Sequence, residues 1–129
     1  MVGSTKILIV EDDDRMLALL DVMLEMRGYV SVHAKNFEDA IKAVKRHNFA
    51  YVIADIFMSG MGGIEGIRQL KRLDPFIPVM AVSGGWDEIT GERTVEAAQA
   101  VGADAALAKP FSEDSFEIAF ERLKSSGIT

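Results

Sequence analysis

Ile7–Asp14 reads Ile-Leu-Ile-Val-Glu-Asp-Asp-Asp, and the abrupt change from aliphatic residues to acids decides the fold. A strand with one wet face alternates apolar and polar residues, whereas an unbroken apolar run suits a strand covered on both faces, as in a parallel sheet. The acids that follow mark the end of that strand, where the chain meets water and turns. Beyond them Met16–Arg27 is a strong helix former closed by Gly28. Strand, acidic turn and helix together make the first half of a βαβ unit.

The same arrangement recurs along the chain. Apolar runs begin near Lys6 (KILIV), Tyr29 (YVSVHA), Tyr51 (YVIA), Ile77 (IPVMAV) and Ala105 (AALA), 22–28 residues apart. Each interval holds a strand and a crossover helix of about a dozen residues. Asn36 predicts the start of a helix over Phe37–His47. Gly63–Leu73 is helical up to the stop at Pro75, and Thr94–Val101 up to Gly102. Ser112 caps a helix carrying Phe116, Phe120 and Leu123 on one face. Five βα units in alternation predict an α/β fold: one domain over residues 1–129, with its core at about 5–125 and helices on both faces of a parallel sheet.

Composition narrows the function. The chain has 129 residues, 49% hydrophobic and 26% charged, with a formal net charge of −6. So acidic a protein is repelled by nucleic-acid backbones and by anionic membranes, so neither is expected as a partner. The absence of cysteine excludes disulfides, thiolate metal sites and cysteine nucleophiles. The longest apolar run, Phe49–Ala54, is far too short to span a bilayer, and no signal-peptide core precedes Glu11. A cytoplasmic location is expected.

In a parallel sheet every strand ends at one edge, and ligands bind in the crevice there. The residues that follow the runs are Glu11, Asp12, Asp13 and Asp14 after the first, Asp55 after the third, Ser83 after the fourth and Lys109 after the fifth. Singly each has an ordinary explanation: acids at helix starts are favoured by the helix dipole, Asp55 could open a loop, and Ser83 with Gly84 and Gly85 could form a turn. Their conjunction on one edge carries the argument. Carboxylates crowded together repel by about 4 kcal/mol per pair at close range and an effective dielectric near 20, so they need protons or a cation. Oxygen ligands without His or Cys favour a hard ion, and one that retains water and a phosphate oxygen is Mg2+. A carboxylate beside Mg2+ and a lysine is a nucleophile toward a phosphoryl group, whose charge Lys109 and the Ser83 hydroxyl would share.

With these residues in place, ILIVEDD (Ile7–Asp13), YVIADIFMSGMGG (Tyr51–Gly63), VMAVSGG (Val79–Gly85) and LAKPF (Leu107–Phe111) together resemble the receiver domain of two-component response regulators, of the chemotaxis-regulator type, along nearly the whole chain. The resemblance implies the flavodoxin-like strand order 2-1-3-4-5. It implies that Asp55 is the phosphoacceptor and that Glu11, Asp12 and Asp55, with the Phe57 backbone carbonyl, hold Mg2+. Ser83 and Lys109 stand at the family's hydroxyl and lysine positions, with Gly84 beside the phosphate, and the Lys109–Pro110 peptide is expected to be cis. Some positions depart from the pattern: Ser59 replaces a usual proline, Gly62 a common acid, and the stretch after Ser83 is longer. Ala106 stands where many members carry an aromatic switch residue, so the usual hydroxyl–aromatic coupling does not transfer.

The function these residues imply is phosphoryl transfer from a histidine kinase or histidine phosphotransfer protein to Asp55, switching a protein-interaction surface. No enzyme acting on an outside substrate is expected, beyond self-phosphorylation and slow dephosphorylation. A downstream protein in trans is the expected output, with a homodimer as a further possibility. The alternatives are a phosphatase with an aspartyl-phosphate intermediate, disfavoured because Phe57 stands where such enzymes place a second acid, and a phosphate sink or adaptor. A flavin-phosphate binder is disfavoured because Glu11–Asp14 would repel the phosphate. Trp86 lies close to the site in sequence. Helix Met16–Arg27 is apolar beyond one core-facing stripe, which suggests a docking face for a kinase-side helix bundle or a second copy. His33 and His47 are assigned no role in the site, His47 being a dipole partner at a helix end.

Overall fold

The computed structural model describes residues 5–56, 62–84, 100 and 102–126. The element order is β1 (Lys6–Val10), α1 (Asp14–Glu25), β2 (Val30–Ala34), α2 (Phe37–Arg46), β3 (Tyr51–Asp55), α3 (Gly63–Leu73), β4 (Val79–Gly84), β5 (Ala105–Lys109) and α4 (Glu113–Ser126). The strands form one parallel sheet in the order β2-β1-β3-β4-β5. This is the flavodoxin-like arrangement expected from the sequence. The predicted helix Thr94–Val101 falls, but for Ala100, outside the described residues, as do Phe57, Ser59, Gly85 and Trp86.

The unbroken apolar runs have a direct cause. Successive residues of β1 point to opposite faces, and both faces are covered. Leu8 and Val10 join a cluster with Phe37 and Ala40 of α2, Ile67 and Leu70 of α3, and Val52 and Ala54 of β3. Ile7 and Ile9 join the other, with Leu17, Leu20 and Leu24 of α1 and Phe116, Phe120 and Leu123 of α4. Each buried Val, Leu, Ile or Phe among them stabilises the fold by about 1.5–3 kcal/mol relative to full exposure.

Helix boundaries follow local hydrogen bonding. The Asn36 side chain accepts from the Asp39 amide at 2.7 Å and starts α2. The Ser112 hydroxyl accepts from the Ser115 amide at 3.0 Å at the start of α4. Helix α1 begins two residues earlier than its apolar pattern, because Asp13 caps it by accepting from the Arg15 amide at 2.9 Å. β4 begins at Val79 rather than Ile77. There the Asp104 carboxylate accepts from the Val79 amide and from Lys71, both at 2.8 Å, while Lys71 also donates to the Ile77 carbonyl. Among the described residues no helix is long and apolar enough to cross a membrane.

Candidate functional site

Glu11 directly follows β1, Asp55 is the last residue of β3, and Ser83 and Lys109 lie at the ends of β4 and β5. All four share the carboxyl edge of the sheet. The parallel register pairs Asp55 with Val82, Ser83 with Ala108 and Gly84 with Lys109, so three neighbouring strands deliver their terminal residues at one level. Glu11, Asp55 and Ser83 are the buried polar residues of the described chain, at 2%, 5% and 1% exposure.

Lys109 binds two of these groups. Its ammonium donates to Glu11 Oε1 at 2.8 Å and to Asp55 Oδ2 at 3.0 Å. Burial works against the ammonium, but hydrogen bonds and charge from Glu11 and Asp55 outweigh it and hold the Lys109 pKa above its ordinary value. The second oxygen of Glu11, Oε2, accepts from the Asp13 amide at 3.2 Å. Burial, the largest influence, pushes the Glu11 carboxyl above the usual range, and the nearby Asp55 charge adds to this. The Lys109 and Asp13 hydrogen bonds oppose it.

Carboxylate oxygens of Glu11, Asp12 and Asp55 lie within 4.8 Å of one another, two of the residues buried and Asp12 exposed. An all-oxygen set, closed on the protein side and open through Asp12 toward water, suits a hard cation that keeps part of its hydration. The residues present therefore fit Mg2+. The other two acids of the run stand outside the group: Asp13 is the helix cap, and Asp14 pairs with Lys35 at 2.5 Å on the surface.

The Lys109–Pro110 peptide bond is cis. Ala106 is half-buried on β5 opposite Ala81 and packs on the α2–α3 side of the sheet. Of the two histidines, His33 Nε2 lies 3.2 Å from the Ser31 hydroxyl, which also bonds Asp21, while His47 stacks edge-on against Phe49. Neither reaches the acidic group. Sequence reasoning missed Asp104, whose anchoring of β4 carries no signal beyond an acid before a short apolar run.

A five-stranded doubly wound domain with an acidic, lysine-bridged cluster at its strand ends is an α/β protein of the flavodoxin-like class. More narrowly, the chain belongs to the response regulator receiver domain family, whose model matches residues 7–121. It is similar to the phosphate regulon transcriptional regulatory protein PhoB of Pseudomonas aeruginosa, 35% identical over 114 residues, 87% of this chain and 48% of PhoB. It is 32% identical to the transcriptional regulatory protein ResD of Bacillus subtilis over 110 residues, 85% of this chain and 44% of ResD. The chain thus spans about half the length of the curated relatives it matches. The solution structure of the beryllofluoride-activated NtrC4 receiver domain dimer superposes with a TM-score of 0.81 at 26% identity, covering 95% of this chain and 98% of that one. The chain is a phosphoacceptor-type receiver domain of two-component signalling.

Proposed function

We propose that Asp55 is the residue phosphorylated, by transfer from a phosphohistidine on a histidine kinase or phosphotransfer protein. The observation that carries this reading is the Lys109 ammonium held between Glu11 and Asp55 at the buried end of β3. An Asp55 oxygen attacks phosphorus, the N–P bond breaks, and its electron pair returns to the imidazole, which takes up a proton. Asp55 becomes an acyl phosphate. Glu11, Asp12 and Asp55 would hold Mg2+, with the Phe57 carbonyl as a further ligand. The ion supplies charge neutralisation for the transferred group. Lys109 stays within reach of both the acceptor and the added phosphoryl oxygens, and Ser83 and Gly84 on the neighbouring strand offer hydrogen-bond donors to them. Ala106 is too small to serve as an aromatic switch, so output runs through another surface.

Beryllofluoride, the activator named for the NtrC4 receiver, tests the acceptor. With Mg2+ it should raise the thermal midpoint of the wild-type chain and leave Asp55→Asn unchanged. Equal stabilisation of both, or of neither, contradicts the assignment.

A further inference from the structure

The half-helices farthest from Asp55 carry a charge opposite to that of the molecule. Lys42, Lys45 and Arg46 end α2, and Arg68, Lys71 and Arg72 end α3, so six of the fourteen basic residues fall on two adjacent half-helices. From residue 40 to residue 50 and from residue 66 to residue 73 there is no acid. Cations at helix C-termini are favoured by the helix dipole, which accounts for their presence on each helix separately. It does not account for what lies between them.

A cleft of about 180 Å³ runs between α2 and α3, lined by Ile41, Lys45, Gln69, Arg72 and Leu73. Ile41 and Leu73 give it apolar walls, one on each helix, and Leu73 is 43% exposed. The neighbouring Arg68 and Lys71 are paired with Glu65 and Asp104. Lys45 and Arg72, the two cations that line the cleft, form no ion pair among the described residues. Two unpaired cations on opposite walls, an amide between them and aliphatic sides describe a groove for a ligand that is anionic and apolar at once.

We infer that the α2–α3 cleft docks an acidic amphipathic helix of a partner protein, with a Glu or Asp between Lys45 and Arg72 and an aliphatic neighbour against Ile41 and Leu73. A helix lies naturally in the groove between two packed helices and presents residues three and four apart on one face. The charge complementarity is local, because the rest of the chain more than cancels these cations to reach −6. A second copy is a poorer occupant. Two clefts facing each other would oppose like charges, and the α4 acids Glu117 and Glu121 are already paired with Arg27 and Lys124, so a head-to-tail contact through them would both break these pairs and propagate instead of closing. The site lies at the opposite end of the helices from Asp55, so its test separates from that of phosphorylation.

The probe is a designed helical peptide with Glu and Leu at i, i+4 spacing, titrated into the full chain labelled with 15N, beside a version with every Glu replaced by Lys. The acidic peptide should shift amide resonances at residues 41–46 and 69–73, and the Lys version should shift none. Lys45→Glu with Arg72→Glu should weaken binding at least tenfold while keeping the wild-type thermal midpoint and response to beryllofluoride. Shifts confined to other elements, no shifts at all, undiminished binding by the double variant, or dimerisation of the free chain through these residues in sedimentation would each overturn the proposal.

Discussion

At the scale of single residues the site is organised by one cation. Lys109 lies between two buried carboxylates that would otherwise face each other across a few ångströms. Removing one partner from a buried ionic cluster typically costs about 3–5 kcal/mol. Lys109→Met should cost less than that in metal-free buffer, because Glu11 can take up a proton instead. Added Mg2+ should restore most of the loss, as read by urea unfolding with and without chelator. A variant as stable as wild type without metal would show that the ammonium does not hold the carboxylates together. Burial, with Tyr29 beside it, holds the Tyr51 phenol above 10.0. The folded chain therefore keeps this proton to higher pH than the unfolded chain does. The associated stability is complete below pH 10 and is lost as pH rises through the folded value. Tyr51→Phe should flatten the alkaline decline in unfolding free energy, and an unchanged slope would contradict it.

At the scale of elements, packing of α3 against its neighbours depends on two missing side chains. A Cβ on Gly66 would sit 2.3 Å from the Phe37 ring of α2, and one on Gly63 would sit 2.3 Å from the Ile56 backbone. Gly62 has open space around it. Gly66→Ala should therefore destabilise by about 1–3 kcal/mol or more by overpacking, although alanine is the better helix former. Gly62→Ala meets no clash and should lose only the preference of a helix N-cap for glycine over alanine, about 0.5–1 kcal/mol. Denaturant midpoints of the two variants decide it. β1 and β3 announced themselves in the sequence because burial on both faces demands continuous apolar residues, and the acids at their ends had to lie on the open edge. The assignment of individual acids was less legible. Glu11 through Asp14 are chemically alike, and only backbone geometry makes Asp13 a cap and Asp14 a surface partner of Lys35. Nor did any pattern mark Asp104, since the Val79 amide it satisfies is distant in sequence.

At the scale of the molecule the sheet separates two surfaces. The α2–α3 side carries the basic cleft, and the α1–α4 side carries an apolar stripe. Leu17, Leu20, Met23 and Leu24 of α1 are buried, while Leu19, Val22 and Met26 are exposed at 46%, 54% and 72%. The sequence showed the excess of apolar residues in α1 but not which of them face water. We propose this stripe as the docking face for a helical phosphodonor protein, a proposal that rests on Asp55 being the acceptor. Alanine at Leu19, Val22 and Met26 together should slow phosphoryl transfer from a phosphohistidine protein at least several-fold, with uptake from a small donor unchanged. Equal slowing with both donors would place the effect at the pocket, and no slowing with either would remove the stripe from donor docking. Uptake of a phosphoryl group by Asp55 with the help of a divalent ion is read from the intact mass of the chain after incubation with acetyl phosphate. A gain of one phosphoryl group is expected with Mg2+, none after chelation, and none in Asp55→Asn. An adduct retained by Asp55→Asn, or none in wild type even with Mg2+, would contradict it.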